Sequence, residues 1–200
     1  MATYLPPIER PRGLLLKLVY FFARRQFGKV PTPFTVFVAR MPYAFMDFYG
    51  KLSSLDKKLK LPAQTAVLIR ERVASLNTCL FCMDAARWYA TLQSPESAAR
   101  IEALANYRTS PLFTDAERAA LDYATELTSK KEVDADTFAR LRRCYSDREI
   151  CDIVWLVASE HLYNMTNVGL NIGSDGFCQL PPAARPTSTN TRSNLPSAVA

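Results

Sequence analysis

The feature that most constrains this chain is a repeated signal for starting helices. Thr114-x-x-Glu117 and Ser146-x-x-Glu149 are both capping boxes, in which a hydroxyl and a carboxylate satisfy backbone N–H groups at a helix start. Pro42, Pro62 and Pro95 fall at first-turn positions, where proline's missing N–H is harmless. Behind these signals apolar residues recur at helical spacing. Phe45, Phe48, Tyr49 and Leu52 follow Pro42, with a helix expected to about Leu55, and Ala66, Leu68, Ile69, Val73 and Leu76 follow Pro62. Ile150, Ile153, Val154, Leu156, Val157, Leu162 and Met165 follow Ser146 in a long helix expected to stop at Gly173. Pro11 and Gly28 bracket a further helix over 12–27, with the apolar positions Leu14, Leu15, Leu18, Phe21 and Phe22. Asp134 is expected to cap a helix to about Cys144. With only 6 Gly and few alternating β-branched runs, a β-sandwich or a nucleotide-binding α/β sheet is not indicated, and the expected fold class is all-α.

A chain of 200 residues can bury a full core as one domain, expected over 1–180. Residues 181–200 are Pro, Ser, Thr, Ala and Asn without apolar periodicity and are expected to be a disordered tail. The early prolines leave the first ten residues either disordered or an extended arm that wraps a neighbouring subunit. The net charge of +6 is scattered, with no basic stripe interleaved with aromatics, so no nucleic-acid partner is expected. The most apolar stretch, Gly13 to Phe22, is broken by Lys17 and is far short of the roughly 20 residues needed for a membrane span. No signal-peptide pattern precedes it, and a cytoplasmic location is expected.

Five cysteines, an odd number, do not make a disulfide framework, and Cys144, Cys151 and Cys178 are expected as buried free thiols. Cys79 and Cys82 differ, because Cys-x-x-Cys suits a reversible disulfide or half of a zinc site. Zinc would need more ligands, yet His161 is the sole histidine and no second Cys-x-x-Cys exists. No metal or cofactor is therefore expected, and thiol redox chemistry is favoured. Asn77 or Thr78 is expected to N-cap a helix from about Cys79 to Leu92, placing both thiols in its first turn. There the free N–H groups and the positive helix end stabilise a thiolate. The competing reading makes both cysteines small core residues.

The run Leu68 to Asp84, LIRERVASLNTCLFCMD, resembles the core motif of the alkylhydroperoxidase D-like (AhpD-like), or carboxymuconolactone decarboxylase, family. Tyr145 to Ile150 and Tyr163 to Asn167 resemble the family's closing segment, so the likeness extends over about 30–175. It implies an all-α, oligomerising fold, usually trimers or multiples of them. It also implies that Cys82 is the peroxidatic cysteine and Cys79 the resolving, reductant-facing one. The substrate would be a small hydroperoxide, and a thiol reductant or adaptor protein would restore the dithiol. Helix-start logic alone favours Cys79 as nucleophile, and both assignments stay open. The family's proton relay, a glutamate before the pair and a histidine after it, falls here on Val67 and Ala86, and the histidine that some members carry between the cysteines is Phe81. Glu71, one turn after Val67, and His161, beside a Glu160 expected to raise its pKa, are the candidate substitutes. The alternatives to those roles are a solvated ion pair for Glu71 and a satisfied core or interface histidine for His161. Asn164 and Asn167 are expected as interhelical hydrogen-bonders. Two other functions compete: decarboxylation of a carboxylated lactone, which needs no cysteine pair, and a non-catalytic ligand-binding or redox-sensing oligomer.

Overall fold

The computed structural model describes residues 2–177, so Cys178 and the expected tail lie outside the described residues. Among the described residues the regular structure is entirely helical. Helix α1 (Leu14–Phe27) closes on Gly28, whose φ of 73° is the left-handed value that glycine adopts without strain. A π-helical turn (Phe34–Val38) leads to α2 (Pro42–Ala44), a second π-helical turn (Phe45–Tyr49) and α3 (Gly50–Asp56). The helix expected from Pro42 to about Leu55 is thus present but widened in its middle. There follow α4 (Ala63–Leu76), α5 (Leu80–Gln93), α6 (Pro95–Glu102) with a 3-10 turn to Asn106, α7 (Asp115–Lys130), α8 (Ala135–Cys144) and α9 (Asp147–Gly169). Both capping boxes form, with each hydroxyl and each glutamate engaged. Asp134 occupies the N-cap of α8, but its carboxylate bonds Lys130 at 3.0 Å instead of capping.

Helix α4 is the hub and packs on α5, α7 and α9. It is buried on almost every side from Thr65 to Glu71, as a helix with neighbours all round must be. Ile69 and Val73 meet Ala120 and Ala124 of α7 and Ile153, Leu156 and Val157 of α9. Val67 and Leu68 meet Ala90, Ile101 and Leu121. A third cluster joins Tyr20, Ala23 and Phe27 of α1 to Phe81, Trp88 and Phe177.

Several expectations are corrected here. On α1 the residues Leu14, Leu18, Phe21 and Phe22 are exposed, while the opposite face enters the core. The helix is apolar on two sides, so periodicity alone does not say which side its own core takes. Helix α9 ends at Gly169, not at Gly173, because Asn171 adopts the left-handed position at φ 52°. The N–H of Ile172 bonds the carbonyl of Asn167 at 2.9 Å and that of Asn171 bonds Val168 at 3.0 Å, which closes the helix earlier. The N-terminal segment folds on its own chain through Tyr4 N–H to Leu170 O (3.1 Å) and Ile8 N–H to Thr35 O (2.9 Å). Cys144 and Cys151 are exposed, not buried. Cys144 ends α8, and Cys151 points away from the face on which Ile150 and Ile153 enter the core. No helix among the described residues is long and apolar enough to cross a membrane.

Candidate functional site

The site is built at the corner between α4 and α5. Thr78 takes the left-handed conformation at φ 56°, which lets its N–H bond Ser75 O at 3.2 Å and the Cys79 N–H bond Ala74 O at 3.0 Å. These bonds close α4, and the next residue opens α5. Cys79 is itself the N-cap, its sulfur accepting from the Cys82 N–H at 3.4 Å. This corrects the expected cap at Asn77 or Thr78, since both residues are consumed in ending α4. A β-branched residue in this conformation costs on the order of 1–2 kcal/mol that glycine would not incur.

The two sulfurs are joined as a disulfide, with Cα atoms 5.3 Å apart. They are buried, Cys79 at 0% and Cys82 at 1% exposure. Asn167 of α9 is the other hydrogen-bond partner, its Nδ2 lying 3.4 Å from the Cys82 sulfur and 3.8 Å from that of Cys79. Among the described residues every hydrogen bond to these sulfurs is a donation, from Asn167 or from the Cys82 N–H. Such donors stabilise a thiolate but take no proton from a thiol.

Asn167 closes a polar stripe on α9 with Glu160 and Asn164, all buried. Glu160 pairs with Arg70 at 3.1 Å, and Arg70 pairs with Asp56 at 2.8 Å. Asn164 donates to Glu160 at 2.6 Å and accepts from Asn77 at 2.9 Å. The Asn77 amide also meets His161 Nδ1 at 3.2 Å, while His161 Nε2 lies 3.4 Å from the Thr128 hydroxyl. His161 is therefore linked to the residue two before Cys79, though not to a sulfur. Burial, with Lys131 nearby, lowers its pKa, so the ring is neutral at pH 7. The upward shift expected from Glu160 is absent because adjacent helix residues point apart and Glu160 faces Arg70.

Glu71 is buried on α4, with Oε1 3.7 Å from Arg87 Nε and Oε2 without a hydrogen-bond partner among the described residues. Burial pushes its pKa up to about 8, opposed by Arg87 and reinforced by Glu160. It is not the solvated ion pair that its charged sequence neighbours suggest, and no hydrogen bond connects it to the sulfurs. Beside Asn167 a cavity of about 20 Å³, room for one water, is walled by Phe34, Phe45, Phe81 and Tyr163 among others. The π-helical turns carry Phe34 and Phe45 to that wall, a use of irregular helix common at functional sites. No group of three metal-ligating side chains occurs among the described residues.

The carboxymuconolactone decarboxylase family profile matches residues 39–126, which contain the cysteine pair and Glu71. A crystal structure of an Agrobacterium tumefaciens protein of unknown function, described as a candidate AhpD antioxidant defence protein, superposes with TM-score 0.64 and 26% identity. That match covers 69% of this chain and 94% of the other. Residues 39–126 are thus similar to the carboxymuconolactone decarboxylase family, and the helical fold is AhpD-like. Two further proteins extend the likeness beyond the family core. The uncharacterised protein YnjA of Escherichia coli K12 is 28% identical over 180 residues, covering 88% of this chain and 97% of YnjA. The apo debrominase Bmp8 shares the fold at TM-score 0.73 and 22% identity, over 90% of this chain and 94% of its own.

Within the matched segment Val67 and Ala86, where the resemblance would place the relay, are buried and apolar. Asn167 and His161 stand on α9, outside the matched segment. Sequence reasoning placed Asn164 correctly as an interhelical bonder but missed that Asn167 reaches the sulfurs. The available signal was their spacing of three residues on one helical face.

Proposed function

We propose that this chain is a thiol-dependent, peroxidase-like oxidoreductase in which Cys79 and Cys82 cycle between dithiol and disulfide. The observation that carries this reading is a cysteine pair, already joined, whose hydrogen-bond partners among the described residues are all donors. In the reduced protein the Cys82 thiolate attacks the outer oxygen of a small hydroperoxide. An S–O bond forms, the O–O bond breaks, and the alkoxide leaves and takes a proton from water. The Cys79 thiolate then attacks the sulfenic sulfur of Cys82, giving the disulfide and releasing the oxygen as hydroxide. Cys82 stands in the first turn of α5, where the positive helix end and the Asn167 amide support its anion in place of the relay base that Val67 and Ala86 lack, while its own N–H supports the Cys79 sulfur. Glu71 and His161 act, in this reading, at a distance, as a protonated acid near neutral pH and a neutral imidazole. The exposed apolar side of α1, with Leu14, Leu18, Phe21 and Phe22, supports assembly into a homo-oligomer.

The test is peroxide-dependent oxidation of an external thiol, together with the pH midpoint of alkylation of the reduced cysteines. Turnover is expected in the unaltered chain and lost in Cys82→Ser. The Cys82 midpoint is expected below the ordinary value of about 8.5 and higher in Asn167→Ala. Turnover that persists in Cys82→Ser, or a midpoint at or above the ordinary value, defeats the proposal. Lactone decarboxylation surviving the Cys79→Ser, Cys82→Ser double variant would move the assignment to the decarboxylase reading.

A further inference from the structure

Next to the residues that flank Cys79 lies a hollow far larger than the aromatic cavity, a cleft of about 1180 Å³. Its walls are the N-terminal segment, the C-terminal end of α1 and the stretch that follows α9. Thr78 and Leu80, the two neighbours of Cys79, belong to its lining, whereas Cys82 is the sulfur nearer Asn167 on α9. Its charged lining residues are Glu9, Arg24 and Lys29. Lys29 is held by Asp175 at 2.9 Å. Arg24 is exposed and makes no ion pair or hydrogen bond among the described residues. The remaining lining mixes apolar side chains with hydroxyls such as Thr32 and Thr35, a composition suited to a small polar organic molecule.

We propose that this cleft binds the reductant of the Cys79–Cys82 disulfide, and that the reductant is a low-molecular-weight thiol bearing a carboxylate, which Arg24 orients. The proposal rests on the redox reading above. The reductant's thiolate attacks the Cys79 sulfur, forming a mixed disulfide as the bond to Cys82 breaks. Cys82 leaves as a thiolate that receives the Asn167 amide hydrogen bond and then the first thiol's proton. A second thiolate attacks the reductant sulfur of the mixed disulfide and frees Cys79, which takes the second proton. Two thiols are thereby oxidised to one external disulfide, and the protein disulfide is reduced to two thiols. Because the Cys79 sulfur is buried, the half-exposed Leu80 is the side chain that moves aside.

The experiment measures reduction of the oxidised full-length chain by mercaptopropionate and by mercaptoethanol, compared at equal thiolate concentration. Both probes carry the thiol on a two-carbon arm, which ends in a carboxylate in the first and in a neutral hydroxyl in the second. The charged thiol is expected to react about two- to fivefold faster, the range one partly exposed ion pair supplies. That preference should shrink in Arg24→Gln and in high salt, and grow in Glu9→Gln. Equal rates for both thiols, or one ratio shared by all three proteins, overturns the cleft assignment and leaves the redox cycle standing. Failure of both thiols to reduce the pair overturns the redox reading as well.

Discussion

Two buried glutamates on neighbouring helices meet opposite surroundings. Glu160 of α9 is 1% exposed, and Arg70 and Asn164 bond its two oxygens. Arg70 is shared with Asp56, whose other oxygen accepts from Trp155 Nε1 at 2.7 Å. Glu71 of α4 is 3% exposed, with a distant Arg87 on one oxygen and no hydrogen-bond partner among the described residues on the other. Burial raises both pKa values, but at Glu160 an adjacent guanidinium and an amide oppose the shift. Glu160 is thus a structural charge inside a satisfied network, and Glu71 is a carboxyl left to titrate near neutrality.

The largest effect should come from breaking the satisfied side. Arg70→Met leaves Asp56 and Glu160 buried without their cation and is expected to remove about 3–5 kcal/mol of stability in urea denaturation. A loss below about 1 kcal/mol would show that the network contributes little. On the Glu71 side the effect depends on pH. The folded chain keeps a proton on Glu71 that the unfolded chain releases between the ordinary 4.5 and about 8, so stability declines as pH rises through that window. Glu71→Gln cannot ionise and should erase that part of the decline, matching the unaltered chain at pH 4. At pH 9 it should exceed it by on the order of a few kcal/mol in denaturation. Parallel curves for the two proteins would mean that Glu71 titrates normally. The smallest effect is expected from Arg87→Met, because Arg87 is half exposed. It should change stability by about 0.5 kcal/mol or less at pH 5, where Glu71 is protonated. By carboxyl NMR titration it should move the Glu71 midpoint further up, and a downward move would contradict the assigned pairing.

The helices were legible because their start signals are local. A capping box such as Ser146-x-x-Glu149 acts within one turn, and it forms as its spacing requires. The cysteine pair was legible for the same reason, since two cysteines three apart at a helix start meet whatever surrounds them. Helix ends were less so. Gly173 looked like a stop, but Asn171 also tolerates a positive φ, and packing of the following segment selected it. Which side of α1 entered the core was not legible either, because both sides are apolar.

Sequence alone therefore determined the helical class, the order of the helices and the place of the thiols, all of which rest on interactions within a few residues. Only the tertiary structure decided that Asn167, far along the chain, would supply a hydrogen bond to the sulfurs, and that Glu71 would be buried with one oxygen unpartnered among the described residues. It also directed Glu160 to Arg70 and away from His161. Burial and the distance to a charge on another helix depend on how α4, α5 and α9 pack, and no local spacing encodes that packing.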